Sequence, residues 1–145
     1  MTNALSSFGT LLKIGDGATP TENFTTIAEL LDIDGVTLKT NTEDATNHSS
    51  PGSFEEIVPT TLAAGPVKFG INFIPTGATH SQSTGLIKDW KNKTKRNFQL
   101  VFPDSGATTW LISAYVTSVD IKAPVKGKLT ADVTLDITGS PTLAG

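Results

Sequence analysis

The strictest pattern in the chain is Lys128-Leu-Thr-Ala-Asp-Val-Thr-Leu-Asp-Ile-Thr138, where every second residue is apolar. Alternation with period two sets one face of a strand against a core and the other in water. Thr109-Trp-Leu-Ile-Ser-Ala-Tyr-Val-Thr-Ser-Val119 reads as a second strand, and Phe98-Gln-Leu-Val-Phe-Pro-Asp-Ser-Gly106 as a third that ends in a turn. Between residues 66 and 74, Val67, Phe69, Ile71 and Phe73 alternate with Lys68, Gly70 and Asn72, and Pro75 and Gly77 close the strand. Leu11-Leu-Lys-Ile14 is a short strand stopped by Gly15-Asp-Gly17. Val36-Thr-Leu-Lys-Thr40 is another, following a turn at Asp34-Gly35, and residues 55–60 return as a further strand.

Phe24 to Ile33 fits two patterns. Phe24, Ile27, Ala28 and Leu31 share a helical face, whereas Phe24-Thr-Thr-Ile27 favours a strand, so propensity alone leaves both open. A helix is predicted from Ser83 or Thr84, either of which can cap it, to about Lys93, with Leu86, Ile87 and Trp90 as its inward stripe and the lysines outward. Residues 1–10 read as an arm and 139–145 as a tail. Residues 41–53 lack periodicity and form a long loop; loops beyond ~12 residues are commonly functional or disordered. These elements sum to a mainly β fold in one domain over residues 1–145: an antiparallel two-sheet sandwich or barrel with one flanking helix.

A chain of 145 residues buries enough surface to fold without a staple, and the absence of cysteine excludes a disulfide framework or a thiolate metal site. Thr fills 23 positions, in keeping with strands. No secretory leader is expected, and no stretch approaches the ~18 apolar residues of a membrane span. The net charge of −3 is uneven: Lys88, Lys91, Lys93, Lys95 and Arg96 against Asp89 give +5 − 1 = +4 over residues 88–96, leaving −7 elsewhere.

Catalytic equipment is not legible. Gly65 to Gly70 has phosphate-loop spacing but continues with Ile71-Asn72 instead of lysine and a hydroxyl residue, and Pro20 stands where a dinucleotide turn after Gly15 and Gly17 needs glycine. Asp32-Ile-Asp34-Gly35 opens like a calcium loop, yet Thr37 takes the position of the required glycine, so it reads as an acidic hairpin turn. His48 and His80 are the two imidazoles, both expected on the surface; zinc needs three or four convergent ligands. The three glycosylation-type sequons, at Asn23, Asn47 and Asn92, are what a chain rich in Asn and Thr contains by chance. Lysines beside Trp90 can bind nucleic acid. The plainer expectation is a solvated lysine face over a buried Trp90, and a third is pairing with an acidic face of another copy. No enzyme, cofactor or metal is expected.

Taken together, Gly9-Thr-Leu-Leu-Lys-Ile-Gly-Asp-Gly17, Phe24 to Ile33, the loop after it, Glu56-Ile-Val-Pro59, Pro66-Val-Lys-Phe-Gly-Ile-Asn-Phe73, Phe102-Pro-Asp104, Ala114-Tyr-Val-Thr-Ser118 and Ile137-Thr-Gly-Ser-Pro141 resemble the siphovirus-type major tail tube proteins of bacteriophages over nearly the whole chain. Ser105, inserted between Asp104 and Gly106, is a small departure. The resemblance implies a two-sheet sandwich or barrel, with Phe24 to Ile33 as strand. It implies hexameric rings stacked into a hollow conduit for genome passage, assembled in the host bacterial cytoplasm and carried in the virion tail. Its partners would be tape-measure, tail terminator and tail-tip proteins, with double-stranded DNA in transient, non-specific passage.

On that basis the lumen is expected to be lined by Thr37, Lys39, Asn97, Gln99, Ser113 and Thr117, opposite core positions Val36, Leu38, Phe98, Leu100, Ile112 and Val116. Contacts within and between rings are expected at Glu43, Asp44, His48, Glu55, Glu56, Lys91, Lys93, Lys95 and Arg96, with residues 41–53 as an inter-ring loop. Open strand edges invite such pairing, and a head-to-tail contact that closes makes a ring. The alternatives are a tube protein of a contractile tail or type VI-like secretion system, and a monomeric virion decoration or binding module.

Overall fold

The computed structural model describes residues 2–143. Among them the chain forms strands β1 (Leu11–Gly15), β2 (Phe24–Thr26), β3 (Leu30–Asp44), β4 (Ile57–Asn72), β5 (Lys95–Val101), β6 (Thr109–Lys122), β7 (Thr130–Ile137) and β8 (Thr142–Leu143), one helix α1 (Leu86–Asn92), and a 3-10 turn at Pro51–Ser53. The strands make one antiparallel sheet in the order β2-β1-β5-β6-β7-β4-β3, and β8 pairs with the start of β6. Six antiparallel pairings separate β2 from β3, so these two run in the same sense. Only residues 27–29 lie between them. They are one pass of chain, kinked at Glu29 (φ 58°), that pairs first with β1 and then with β4. The Ile27 amide donates to the Leu12 carbonyl and the Asn72 amide to the Glu29 carbonyl, both at 2.9 Å, and so hold the kink to both neighbours. The sheet therefore curls on itself, its two margins joined through a single bent strand.

Alternation fills the concave side. Leu12, Phe98, Ile112, Val133, Leu135, Val67, Phe69 and Ile71 are buried there. Directly opposed pairs such as Phe98 with Ile112 and Val133 with Phe69 carry the core across the sheet. A one-residue slip would turn every one of these side chains to water, which fixes the register. Each such burial stabilises by roughly 1.5–3 kcal/mol. Since neighbouring strands alternate in direction, the connections sort to two ends. Residues 16–23, 73–94 with α1, and 123–129 lie at one end, which we call the helix end. The arm 2–10, the β3–β4 connection, the β5–β6 turn and the tail after β7 lie at the other, the tip end.

Several expectations change. Phe24 to Ile33 is strand with a kink, as the resemblance implied. Asp34-Gly35 does not turn; it lies inside β3, where register shifts from Leu30 to Leu38 mark bulges that bend the strand. Residues 41–44 extend β3, leaving 45–56 as the loop. The two strands expected at 55–60 and 66–74 are one, β4, which continues through Gly65 at φ +90°, a conformation side chains resist. Leu38, expected in the core, is 53% exposed. The helix starts at Leu86, because the Ser81 and Thr84 hydroxyls bond each other, and Thr84 also donates to the Ala78 carbonyl, instead of capping it. Gly85 takes the N-cap position; a Cβ there would come within 2.4 Å of the backbone at residues 79 and 80.

Candidate functional site

Three surfaces stand out, one at each end and one on the convex face. The first is the ribbon made by the outer halves of β3 and β4. Nearly every residue from 37 to 63 is exposed. Two strands alone in water are marginally stable, yet this ribbon presents Phe54 (76% exposed), Ile57 and Leu62 (82%) to solvent. Its own bonds give it shape. Asn41 Nδ2 donates to Thr61 Oγ1 at 2.9 Å, the Glu56 amide donates to Thr46 Oγ1 at 2.7 Å, and Ser50 Oγ donates to Glu56 Oε2 at 2.7 Å. The Thr46 hydroxyl and amide hold the Asp44 carboxyl below its usual range. Glu43, Asp44, His48, Glu55 and Glu56 thus gather on this tip, all exposed.

The second surface is the convex face. Asn97 and Gln99 on β5 share it with Ser113 on β6. Ser113 Oγ donates to Asn97 Oδ1 at 2.7 Å, and Asn97 Nδ2 donates to Glu22 Oε1 at 2.8 Å. Thr117 sits at the β6 bulge and donates to the Thr134 carbonyl at 3.3 Å. Thr37 and Lys39 are not with them: they lie on β3, and Lys39 opposes Ala63 out on the ribbon. The face also carries Asp120 on β6, Asp132 and Asp136 on β7, and Lys13, Lys68 and Lys95 on β1, β4 and β5, none of them among the expected lumen residues. Asp120 and Asp132 are directly opposed, and Lys122 Nζ meets Asp132 Oδ2 at 2.7 Å, raising the Lys122 pKa through that bond.

The third surface is the helix end. Arg96 occupies a concave-side position on β5, one residue before Phe98's outward neighbour Asn97, and its charge needs a partner there. Asp89, three residues after Leu86 and on the same helical face, supplies it: Arg96 Nη1 donates to Asp89 Oδ1 at 2.9 Å, and Nε donates to the Gly15 carbonyl at 2.9 Å. Asp89 is 1% exposed, and burial pushes its carboxyl above the ordinary value despite the opposing pull of Arg96. Among the described residues Oδ2 of Asp89 has no hydrogen-bond partner. Arg96 is therefore engaged inside the subunit, unlike Lys91, Lys93 and Lys95, which are exposed. Because Leu86 and Asp89 take the inward face, Trp90 is turned out and 51% exposed among the lysines, contrary to its expected burial.

His80 also departs from expectation. It is fully buried: Nε2 donates to the Ala28 carbonyl at 2.8 Å, Nδ1 accepts the Ile74 amide at 3.1 Å, and the ring stacks on Phe73 at 6.1 Å. Both ring nitrogens serve to pin the loop 73–85 to the kinked strand. Its polar neighbours Thr79 and Ser81 gave no sign of this, since the bond spans 52 residues. Among the described residues no three His, Asp or Glu side chains gather to hold a metal ion, and no helix is long and apolar enough to cross a membrane.

No curated protein sequence matches the chain. Its fold is similar to the tail of an empty gene transfer agent particle refined with C6 symmetry (TM-score 0.79, 19% identity, 98% of this chain and 100% of that one). It is also similar to a chain of the sheath/tube terminator of an extracellular contractile injection system (0.71, 13%, 100% and 99%) and to the SPP1 tail tube (0.70, 13%, 94% and 76%). The model of the lambda phage tail tube protein family matches residues 14–144, so the chain belongs to that family and is a phage tail tube protein of the virion.

Proposed function

We propose that six copies of this chain close into a ring, and that rings stack into a hollow tube through which double-stranded DNA passes. The observation that carries this is the ribbon: a two-stranded arm with exposed Phe54, Ile57 and Leu62 has no cover within its own subunit. A neighbouring ring supplies that cover. The C6 symmetry of the similar gene transfer agent tail supports six-fold closure. The convex face supports the lumen. Asn97, Gln99 and Ser113 present neutral polar groups, and Asp120, Asp132 and Asp136 are interspersed with Lys13, Lys68, Lys95 and the paired Lys122. Neutral and acidic groups set among these lysines break up any continuous cationic track for phosphates, so DNA slides. The role is structural, without a reaction. A tape-measure protein would fill the lumen before DNA, and terminator and tip proteins would close the ends. The sheath/tube terminator relative keeps a contractile tube as the second reading, decided by whether a sheath accompanies the tube in the particle.

Replacing residues 45–56 by Asn-Gly, which closes Asp44 onto Ile57 in a two-residue turn, tests the ribbon. The variant is expected to stay folded and soluble by circular dichroism while sedimentation velocity shows no particles beyond single rings. Long tubes from the variant would refute the stacking role.

A further inference from the structure

The ends of the subunit are electrically opposite. At the tip end, residues 2–10, 41–58, 102–108 and 138–143 contain Glu43, Asp44, Glu55, Glu56 and Asp104 and no Lys or Arg, a sum of −5. At the helix end, residues 16–23, 27–29, 73–96 and 122–130 contain eight Lys and Arg against Asp16, Glu22, Glu29 and Asp89, a sum of +8 − 4 = +4. The buried pair of Asp89 and Arg96 cancels within that sum, and Lys122 is paired with Asp132 on β7, so the free basic charge there sits on Lys88, Lys91, Lys93, Lys95, Lys126 and Lys128. Both ends also expose aromatic rings: Phe54 on the acidic ribbon, with Phe8 of the arm at the same end, and Trp90 among the lysines of α1.

From this we infer a specific contact, resting on the stacked-tube reading above: the acidic ribbon tip of one copy docks on the Trp90–lysine surface of α1 in a copy of the next ring. Phe54 covers the exposed Trp90 ring, and Glu43 and Glu55 face Lys91 and Lys95. A copy offers an acidic end and a basic end, so like ends repel and unlike ends attract. Rings then stack in one polar direction, and the two faces of a growing tube are never interchangeable. Glu43 and Glu55 suit intermolecular contact because among the described residues no hydrogen bond uses their carboxylates, whereas Glu56 is held by Ser50 and Asp44 by Thr46. Charges brought together across such a contact set orientation and partner choice, and they weaken as salt screens them.

Charge exchange tests the contact. The variants E43K/E55K and K91E/K95E touch only exposed side chains, and an unchanged melting temperature confirms folding. In negative stain at low salt, each double variant alone is expected to give tubes at least about tenfold shorter than the original chain, since like charges then meet at every subunit of a ring junction. The quadruple variant, with both ends reversed, is expected to regain length, as is an equal mixture of the two doubles. Full-length tubes from either double variant, or no recovery in the quadruple variant, overturn the tip-to-helix contact while leaving the tube itself intact. Failure of the unmodified concentrated protein to form any six-fold particle overturns the tube reading on which it rests.

Discussion

Replacing Arg96 by Met probes the helix end most sharply. The substitution keeps the length of the aliphatic stem but removes both donors, to Asp89 Oδ1 and to the Gly15 carbonyl. Asp89 is then left at 1% exposure with neither oxygen paired, since Oδ2 lacks a partner already. Removing one member of a buried pair costs about 3–5 kcal/mol, and at about 2–4 °C per kcal/mol for a domain of this size the melting temperature should fall by about 6–20 °C at pH 7. The loss depends on pH with a definite sign. A carboxyl whose folded pKa lies above its ordinary 3.8 favours the fold in its protonated form, so its contribution is full below that value and disappears as pH rises through the folded pKa. Without Arg96 that folded pKa climbs further. The penalty of the substitution should therefore shrink between pH 7 and pH 4.5, as Asp89 takes up a proton. Urea unfolding followed by circular dichroism at both pH values, at concentrations where the protein sediments as a monomer, measures it. A loss below about 1 kcal/mol at pH 7, or the same loss at both pH values, would refute the buried-pair account.

Phe98→Ala empties a position at 0% exposure and should cost about 3–5 kcal/mol in urea unfolding at neutral pH; a loss under about 1 kcal/mol would mean that β5 presents its other face to the core. Gly85→Ala drives a Cβ into the backbone at residues 79 and 80, so the loop carrying His80 must shift, and amide exchange at Ile74 should accelerate; unchanged protection there would contradict the tight approach.

Where two-fold alternation was strong, sequence alone located the strand and its faces, as in β7 and in Phe98 and Leu100 on β5. It failed where long-range contact overrides local signals. Asp34-Gly35 has turn chemistry but sits in a bulge of β3, which stays paired to β4 on both sides at Ile33 and Val36. Thr, Asn and Glu in residues 41–44 look like loop, yet they pair with the start of β4 beyond the core, where polarity on both faces is tolerated because both faces are wet. Trp90 and His80 exchanged their expected environments through two separate contacts. A buried aspartate, needed by Arg96, rotated the helix, and a carbonyl on the kinked strand recruited the imidazole. Arg96 lies beyond the end of the helix, and the Ala28 carbonyl is 52 residues from His80. Of the surfaces proposed for assembly, the acidic tip and the exposed lysines were legible in sequence. Their position at opposite ends required the topology.

Cryo-electron microscopy of concentrated protein, or of tails from purified particles, tests the central claim directly. The account requires six-fold rings stacked into a tube whose lumen is lined by Asn97, Gln99 and Ser113, with the 45–56 loop ordered against the adjoining ring. Isolated subunits on the outside of the particle, or a tube whose lumen is faced by α1, would contradict it.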